Sequence, residues 1–311
     1  MRHNVARFDP PASASYKSAM KIGIIGDIHG AWDEHDTRFF NRAGYDALLL
    51  TGDLPRFVGG LPVARQLAAL TPPAYMIPGN HDATGLVQLY AEMSGHDRLT
   101  RLTALGMPER VAQLDTALGP VTLGGYSRHA LAPELGLIIA RPHAMGGDRL
   151  YFADYLRRVY GVTDPASSRD ALCRVIDTAP RDLVVLAHNG PAGLGETPDA
   201  PFGCDFDPKR GDFGDPDLAD ALDHARQTGH RIRATVAGHM HHRSKDGQSW
   251  RRTHLRDSHD TLHINAARVP RIEAEGARRH HVALAISDEG ASAETRWVDQ
   301  DGEIVLQEPM R

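Results

Sequence analysis

A layered α/β domain is the fold class this sequence predicts, on three observations. Short apolar runs of the buried-strand type alternate with helix-patterned segments from "KIGIIG" (21–26) to "RATVAGH" (233–239). The strand-like runs stop at turn residues, usually a glycine beside Asp, Asn or His. Toward the C-terminus, "TLHINAAR", "HHVALAIS" and "SAETRWVD" alternate in the strand manner with no helical period.

The folded part starts at "KIGIIG". Residues 1–20 are polar and rich in Pro, Ser and Ala, so they read as a flexible tail without a signal-peptide core, with Met20 an alternative start. "DEHDTRFFNRAG" follows as a helix, with Asp33 at its N-cap and Gly44 just past its end. "DALLLTGD" (46–53) is a second strand and "PVARQLAAL" (62–70) a second helix. "AYMIPGNHD" (74–82) is a third strand running into a turn, and "TGLVQLYAEM" a third helix. Residues 101–165 show less rhythm: "PVTLGGYS" (120–127) reads as a strand and "FADYLRRVYG" as a helix, with Gly/Pro-rich material between. Helix "SRDALCRVIDTA" (168–179) and strand "DLVVLAHNG" (182–190) restore the alternation. After a long polar loop, Asp215 caps helix 215–229 with Pro216 in its first turn, and strand 233–239 comes next. No repeat or linker interrupts, so residues 21–311 read as one domain with loop insertions near 126–165 and 190–214.

Composition narrows the function classes. The chain of 311 residues is 41% hydrophobic and 24% charged, an ordinary globular balance. A formal net charge of −5 argues against nucleic-acid partners and anionic membrane surfaces. No apolar run approaches the roughly 18 residues of a bilayer span. With only Cys173 and Cys204, neither a disulfide framework nor a thiolate zinc site is available, and a reducing, cytoplasmic setting is expected. Histidine, at 18 copies, is the anomaly.

The chemistry lies at the strand ends, where loops of an open α/β sheet converge on one crevice. "GDIHG" offers Asp27 and His29, "TGDLPR" offers Asp53, and "PGNHD" offers Asn80, His81 and Asp82. His188 comes after "LVVLA", and "GHMHH" supplies His239 and His241. Carboxylate, amide and imidazole without thiolate suit Mn, Fe, Zn, Co or Ni. Seven candidate ligands are too many for one ion and suit two, sharing a carboxylate at a separation of about 3.5–4 Å. Along extended chain His239 and His241 would face one side, with Met240 turned into apolar packing and His242 of the wrong parity to be a ligand.

In the order D-x-H, G-D, G-N-H-D, lone His and G-H-x-H, these motifs span residues 27–241, and the chain resembles the calcineurin-like metallophosphoesterases. The resemblance implies two stacked β-sheets flanked by helices. It also implies that Asp27, His29, Asp53 and His241 hold one divalent or trivalent ion, while Asn80, His188 and His239 hold a second, again with Asp53. "AHNGPAGLG" (187–195) and "INAARVPRI" (264–272) are similar to a little-characterised branch met in cyanobacteria and plant plastids, with no known substrate.

The expected activity is hydrolysis of a small phosphomonoester or phosphodiester by a metal-bridging hydroxide. His81 would donate a proton to the leaving oxygen, with Asp82 holding its imidazole and raising its pKa. Arg56, Arg128 and Arg243 are the candidate phosphate contacts. The 190–214 loop starts two residues past His188 and is placed to form a substrate rim. The alternatives are a scaffold of the same fold without catalysis, a mononuclear hydrolase, and a nuclease, which the charge and the lack of a basic-aromatic groove disfavour.

Overall fold

The structure, a computed structural model, describes residues 19–310, so the expected tail lies outside the described residues except for its last two positions. Met20 is not outside the fold but opens the first strand. β1 (Met20–Ile25), α1 (Glu34–Phe40), β2 (Ala47–Leu50), α2 (Leu61–Leu67), β3 (Ala74–Met76) and α3 (Leu86–Ser94) keep the expected alternation. Then come α4 (Asp97–Thr103), α5 (Met107–Leu118), β4 (Thr122–Leu123), β5 (Ser127–Ala132), β6 (Leu135–Ile139) and α6 (Ala153–Tyr160). The chain continues through α7 (Pro165–Ile176), β7 (Asp182–Leu186), α8 (Pro216–Gln227) and β8 (Arg231–Ala237). It closes on β9 (His254–Arg256), β10 (Leu262–Asn265), β11 (Ile272–Glu273), β12 (Arg278–Ser287), β13 (Gly290–Val298) and β14 (Ile304–Met310).

These strands form two sheets. One runs β14-β13-β12-β1-β2-β3-β4, with β11 beside β12; the other runs β5-β6-β7-β8-β10-β9. The strands β1 to β4 are parallel, as are β6, β7, β8 and β10, and antiparallel strands flank both sets. Strands covered on both faces must be apolar throughout, which is why "GII" and "ALLL" carry no polar residue. The two-residue period then splits them. Ile22, Ile24 and Leu49 pack in one cluster with Val184, Leu186, Val236 and Ile264 of the other sheet. Ile25, Leu48 and Leu50 point the opposite way, onto Phe40, Leu67 and Leu114 of α1, α2 and α5. With α7 and α8 packed on the second sheet, the order of layers is helix, sheet, sheet, helix.

Four local expectations are corrected. The run 120–127 is two strands in different sheets, because Gly124 and Gly125 carry the chain from β4 across to β5. The stretch 126–165 is not a loop insertion: it holds β5, β6 and α6, with β6 pairing in parallel with β7. Helix α5 lies where no element was expected. At its N-cap position Asp215 does not cap α8, since its carboxylate instead accepts from buried Arg141 at 2.8 Å. By contrast Asp33 caps α1 as expected, in a reciprocal capping box with Asp36.

Candidate metal centre

All five sequence motifs arrive at one edge, beyond the carboxyl ends of β1, β2, β3, β7 and β8. Two groups of ligand atoms form there, Asp27 with His29 and His241, and Asp53 with His188 and His239; within each group the atoms lie within 4.8 Å of one another. Asn80 joins the second, its Oδ1 3.0 Å from both His188 Nε2 and His239 Nδ1. Asp53 Oδ2 stands 3.5 Å from His188 Nε2 and 3.7 Å from His29 Nε2, so one carboxylate oxygen faces both groups.

The surrounding backbone fixes what these atoms present. His188 Nδ1–H donates to the Thr51 carbonyl at 2.7 Å, and His29 Nδ1–H to that of Pro55 at 3.2 Å. Each Nε2 is thereby left as a lone pair. His188 Nε2 then faces the Asn80 and Asp53 oxygens, and His29 Nε2 faces Asp53 and, at 3.1 Å, His241 Nε2. Acceptors aimed at acceptors repel one another unless a cation lies between them, and this donor set fits divalent metal ions. Asp27 is held for the same task, accepting from Thr51 Oγ1 at 2.8 Å and from the His239 N–H at 2.9 Å.

The electrostatics agree. Burial lowers His29 and His188, takes His239 down to about 3 and His241 to about 4, so all four imidazoles are neutral at pH 7 with lone pairs free. Burial would raise Asp53, but the imidazoles of His188, His81 and His29 outweigh it and hold that carboxyl well below the usual range. Asp27 goes the other way, raised by burial and then by the charge of Asp53. The buried Asp53 carboxylate lies among neutral imidazoles, and Asp27 gains its ionised, ligating form only with positive charge beside it, which bound cations would supply.

Close packing of backbone against ligands explains two glycines. A Cβ on Gly79 would lie 2.2 Å from Asp53 Oδ1, and one on Gly238 would lie 2.0 Å from Asp27 Oδ1. His29, Asp53 and His239 themselves have φ of 44°, 50° and 64°, left-handed values that non-glycine residues adopt at a cost. This corrects the extended-chain account of the histidine pair: β8 stops at Ala237, and His239 and His241 reach the two groups from a turn. Met240 does pack into the apolar core, and His242 is buried with Nε2 donating to the Asn265 carbonyl at 2.8 Å.

Asp82 is also placed differently. Its buried carboxylate accepts from the N–H groups of Asp53 at 2.7 Å, Gly79 at 2.8 Å and Leu54 at 2.9 Å, tying the β2 and β3 loops together. The imidazole of His81 is instead held by the Phe57 carbonyl, which accepts from Nδ1–H and leaves Nε2 toward the site. The His81 ring stands 5.3 Å from that of His29, and its backbone N–H donates to Asp53 Oδ1 at 2.9 Å.

A cavity of about 530 Å³ adjoins the two groups, and His81 and Arg243 line it with Asp53, Asn80, His239 and His241. Arg56 is outside this wall, exposed with its guanidinium 5.6 Å from the Phe57 ring. Arg128 lines another groove with Tyr126 and Tyr160, because β5 is an edge strand of the second sheet. His143, which belongs to none of the five motifs, is wholly buried beneath the site, Nδ1–H donating to the Gly79 carbonyl at 2.7 Å and its backbone N–H to that of Pro78 at 2.8 Å. Its signal was present: "LGLIIARPH" is a sixth apolar strand ending in a histidine.

The chain is also similar to known proteins. The profile of the Calcineurin-like phosphoesterase family matches residues 20–243. A symmetrical bis(5'-nucleosyl)-tetraphosphatase of Serratia proteamaculans is 39% identical over 90 residues, spanning 28% of this chain and 31% of that protein. One solved crystal structure superposes with a TM-score of 0.54 at 12% identity, over 90% of this chain and 99% of the other, and shares the fold. A dimetal phosphatase from Danio rerio gives a TM-score of 0.49 at 11% identity over 94% and 99%. Since the profile matches well over half of the chain and takes in every candidate ligand, the chain belongs to the calcineurin-like phosphoesterase family.

Proposed function

We propose that this chain hydrolyses phosphoesters with a two-metal centre, in which Asp27, His29, Asp53 and His241 hold one ion and Asp53, Asn80, His188 and His239 the other. The observation that carries this reading is Asp53 Oδ2, which faces both ligand groups at 3.5 and 3.7 Å. Bound there, the ions supply Lewis-acid charge for the phosphoryl oxygens and a nucleophile at neutral pH. The chain supplies the rest. The carbonyls of Thr51 and Pro55 keep His188 and His29 in the tautomer that offers Nε2, and Asp82 and His143 hold the loops that carry Asp53 and Asn80. His81, fixed through Nδ1 and facing the cavity, acts as the imidazolium: its Nε2 proton goes to the leaving oxygen, and the ring is left neutral with Nδ1–H still donating to Phe57. His241 keeps an open side, its side chain 40% exposed, so substrate can approach the first group.

The test is a screen of metal against substrate. Chelated protein is reloaded with Mn, Co, Ni, Fe or Zn and offered p-nitrophenyl phosphate and bis-p-nitrophenyl phosphate. Stripped protein should be inactive and reloaded protein active, with kcat/KM ranking monoester against diester. Two bound ions without turnover on either ester would favour the scaffold reading instead.

A further inference from the structure

The cavity beside the candidate metal centre is larger than a phosphoryl group needs. At about 530 Å³ it falls in the range of sites for whole small molecules. Beyond the metal end its wall divides by chemistry. Leu89, Met93, Met145, Tyr151, Phe206 and Phe213 make it apolar and aromatic, and Phe206 meets Phe213 edge to face at 5.1 Å. Arg210, Arg243 and Lys245 stand on the same wall.

Among the described residues these three cations make no salt bridge. Arg210 lies 4.7 Å from the Phe213 ring and Lys245 5.8 Å from that of Phe206, while Arg243 donates to the Gly247 carbonyl. Of the two carboxylates in the wall, Asp53 belongs to the metal end, and Asp205 has partners of its own: it accepts from the Lys245 backbone N–H at 2.8 Å and lies 3.4 Å from Arg251 Nη2. The wall is also assembled from separate parts of the chain. Phe206, Arg210 and Phe213 come from the long loop after β7, Arg243 and Lys245 from the segment after β8, and Leu89 and Met93 from α3. An apolar surface rimmed by cations without carboxylate partners suits a ligand that is itself aromatic and anionic.

Building on the phosphoesterase reading, we propose that the substrate is a phosphoester whose organic part is aromatic and bears a second anionic group. The ring lies against Phe206, Phe213 and Tyr151, and the second anion is bound by Arg210, Arg243 and Lys245. The metal end sees only the reacting phosphoryl group, so discrimination among esters comes from this wall.

The experiment compares 1-naphthyl phosphate with 4-sulfo-1-naphthyl phosphate on the metal-loaded protein and on R210A/R243A/K245A. Because each ester is compared with itself across proteins, the electronic effect of the sulfonate on the leaving group cancels. The triple variant should lose at least tenfold more kcat/KM on the sulfonated ester than on the plain one. Phe206→Ala, at an exposed position, should lose more on naphthyl than on methyl phosphate. Equal losses on both members of either pair would overturn the proposal. Calorimetric binding of 1-naphthol-4-sulfonate gives a readout independent of turnover, with at least tenfold weaker Kd expected in the triple variant. If the sulfonate binds in this way but no ester is turned over, the hydrolase reading fails and the cavity assignment stands. Equal Kd in both proteins overturns the assignment itself.

Discussion

Asp82→Asn perturbs a single carboxylate that joins three backbone positions. In the native protein Oδ2 accepts from the N–H groups of Asp53 and Gly79, at 2.7 and 2.8 Å, and Oδ1 from that of Leu54 at 2.9 Å. An asparagine has one acceptor oxygen and one NH2 group. Its better orientation keeps the bonds to Asp53 and Gly79 and turns the NH2 against the Leu54 N–H, leaving one buried donor unpaired. That costs roughly 1–3 kcal/mol. In a domain of this size each kcal/mol moves Tm by roughly 2–4 °C, so a fall of about 2–12 °C is expected. Asp82→Ala orphans all three N–H groups and should fall further. Because Asp53 faces both ligand groups, metal affinity should weaken together with Tm. Calorimetric unfolding and metal titration of the two variants measure both effects. An unchanged Tm, with kcat reduced and its pH profile shifted, would refute this reasoning and return Asp82 to service as the partner of His81.

Three further outcomes are expected. His81→Ala should keep its metal content and lose roughly 10²–10⁴-fold in kcat on alkyl phosphates, with a smaller loss on p-nitrophenyl phosphate; full turnover of an alkyl ester would exclude the proton-donor role. Gly238→Ala places a Cβ 2.0 Å from Asp27 Oδ1 and 2.6 Å from Thr51 Oγ1, and a metal titration should show the ion at Asp27, His29 and His241 bound ~10-fold or more weakly. Burial lowers His143 to about 4 and His242 to about 3, and takes His280 and His281 well below their ordinary value of 6.5. The folded chain thus keeps these rings neutral where the unfolded chain protonates them. Their contribution is fully present above pH 6.5 and is lost as pH falls toward the folded values, by up to about 1.4 kcal/mol per pH unit per histidine. Tm should therefore drop steadily from pH 7 to pH 5, and a flat profile would contradict the assignment.

The legible part of this fold was the part with short-range signals. "KIGIIGD", "DALLLTGD" and "LVVLAHNG" each announce a strand by an apolar run and a loop by the glycine, aspartate or histidine that ends it. Parallel pairing then carries those loops to one edge. Helix α5 was readable too, since Met107, Val111, Leu114 and Leu118 keep helical spacing, but Pro108 and the polar residues between them obscured it. Other features depend on tertiary context. His143 needed β6 to be seen as a strand, and β6 pairs with β7, far along the chain. Asp82 comes directly after His81 in sequence, which reads as a partnership. The turn closed by the Asp82 N–H on the Gly79 carbonyl sends its side chain inward, under the loops. Arg128 sits in a segment that crosses between sheets, and only the sheet order shows that β5 carries it away from the cavity.

The central claim is that one carboxylate, Asp53, serves two metal ions, and metal content per chain tests it most directly. Protein loaded with manganese, desalted and analysed by mass spectrometry for metal should hold two ions per chain, and Asp53→Asn should hold one or none. One ion per chain in the unaltered protein, or two retained by Asp53→Asn, would contradict the shared centre.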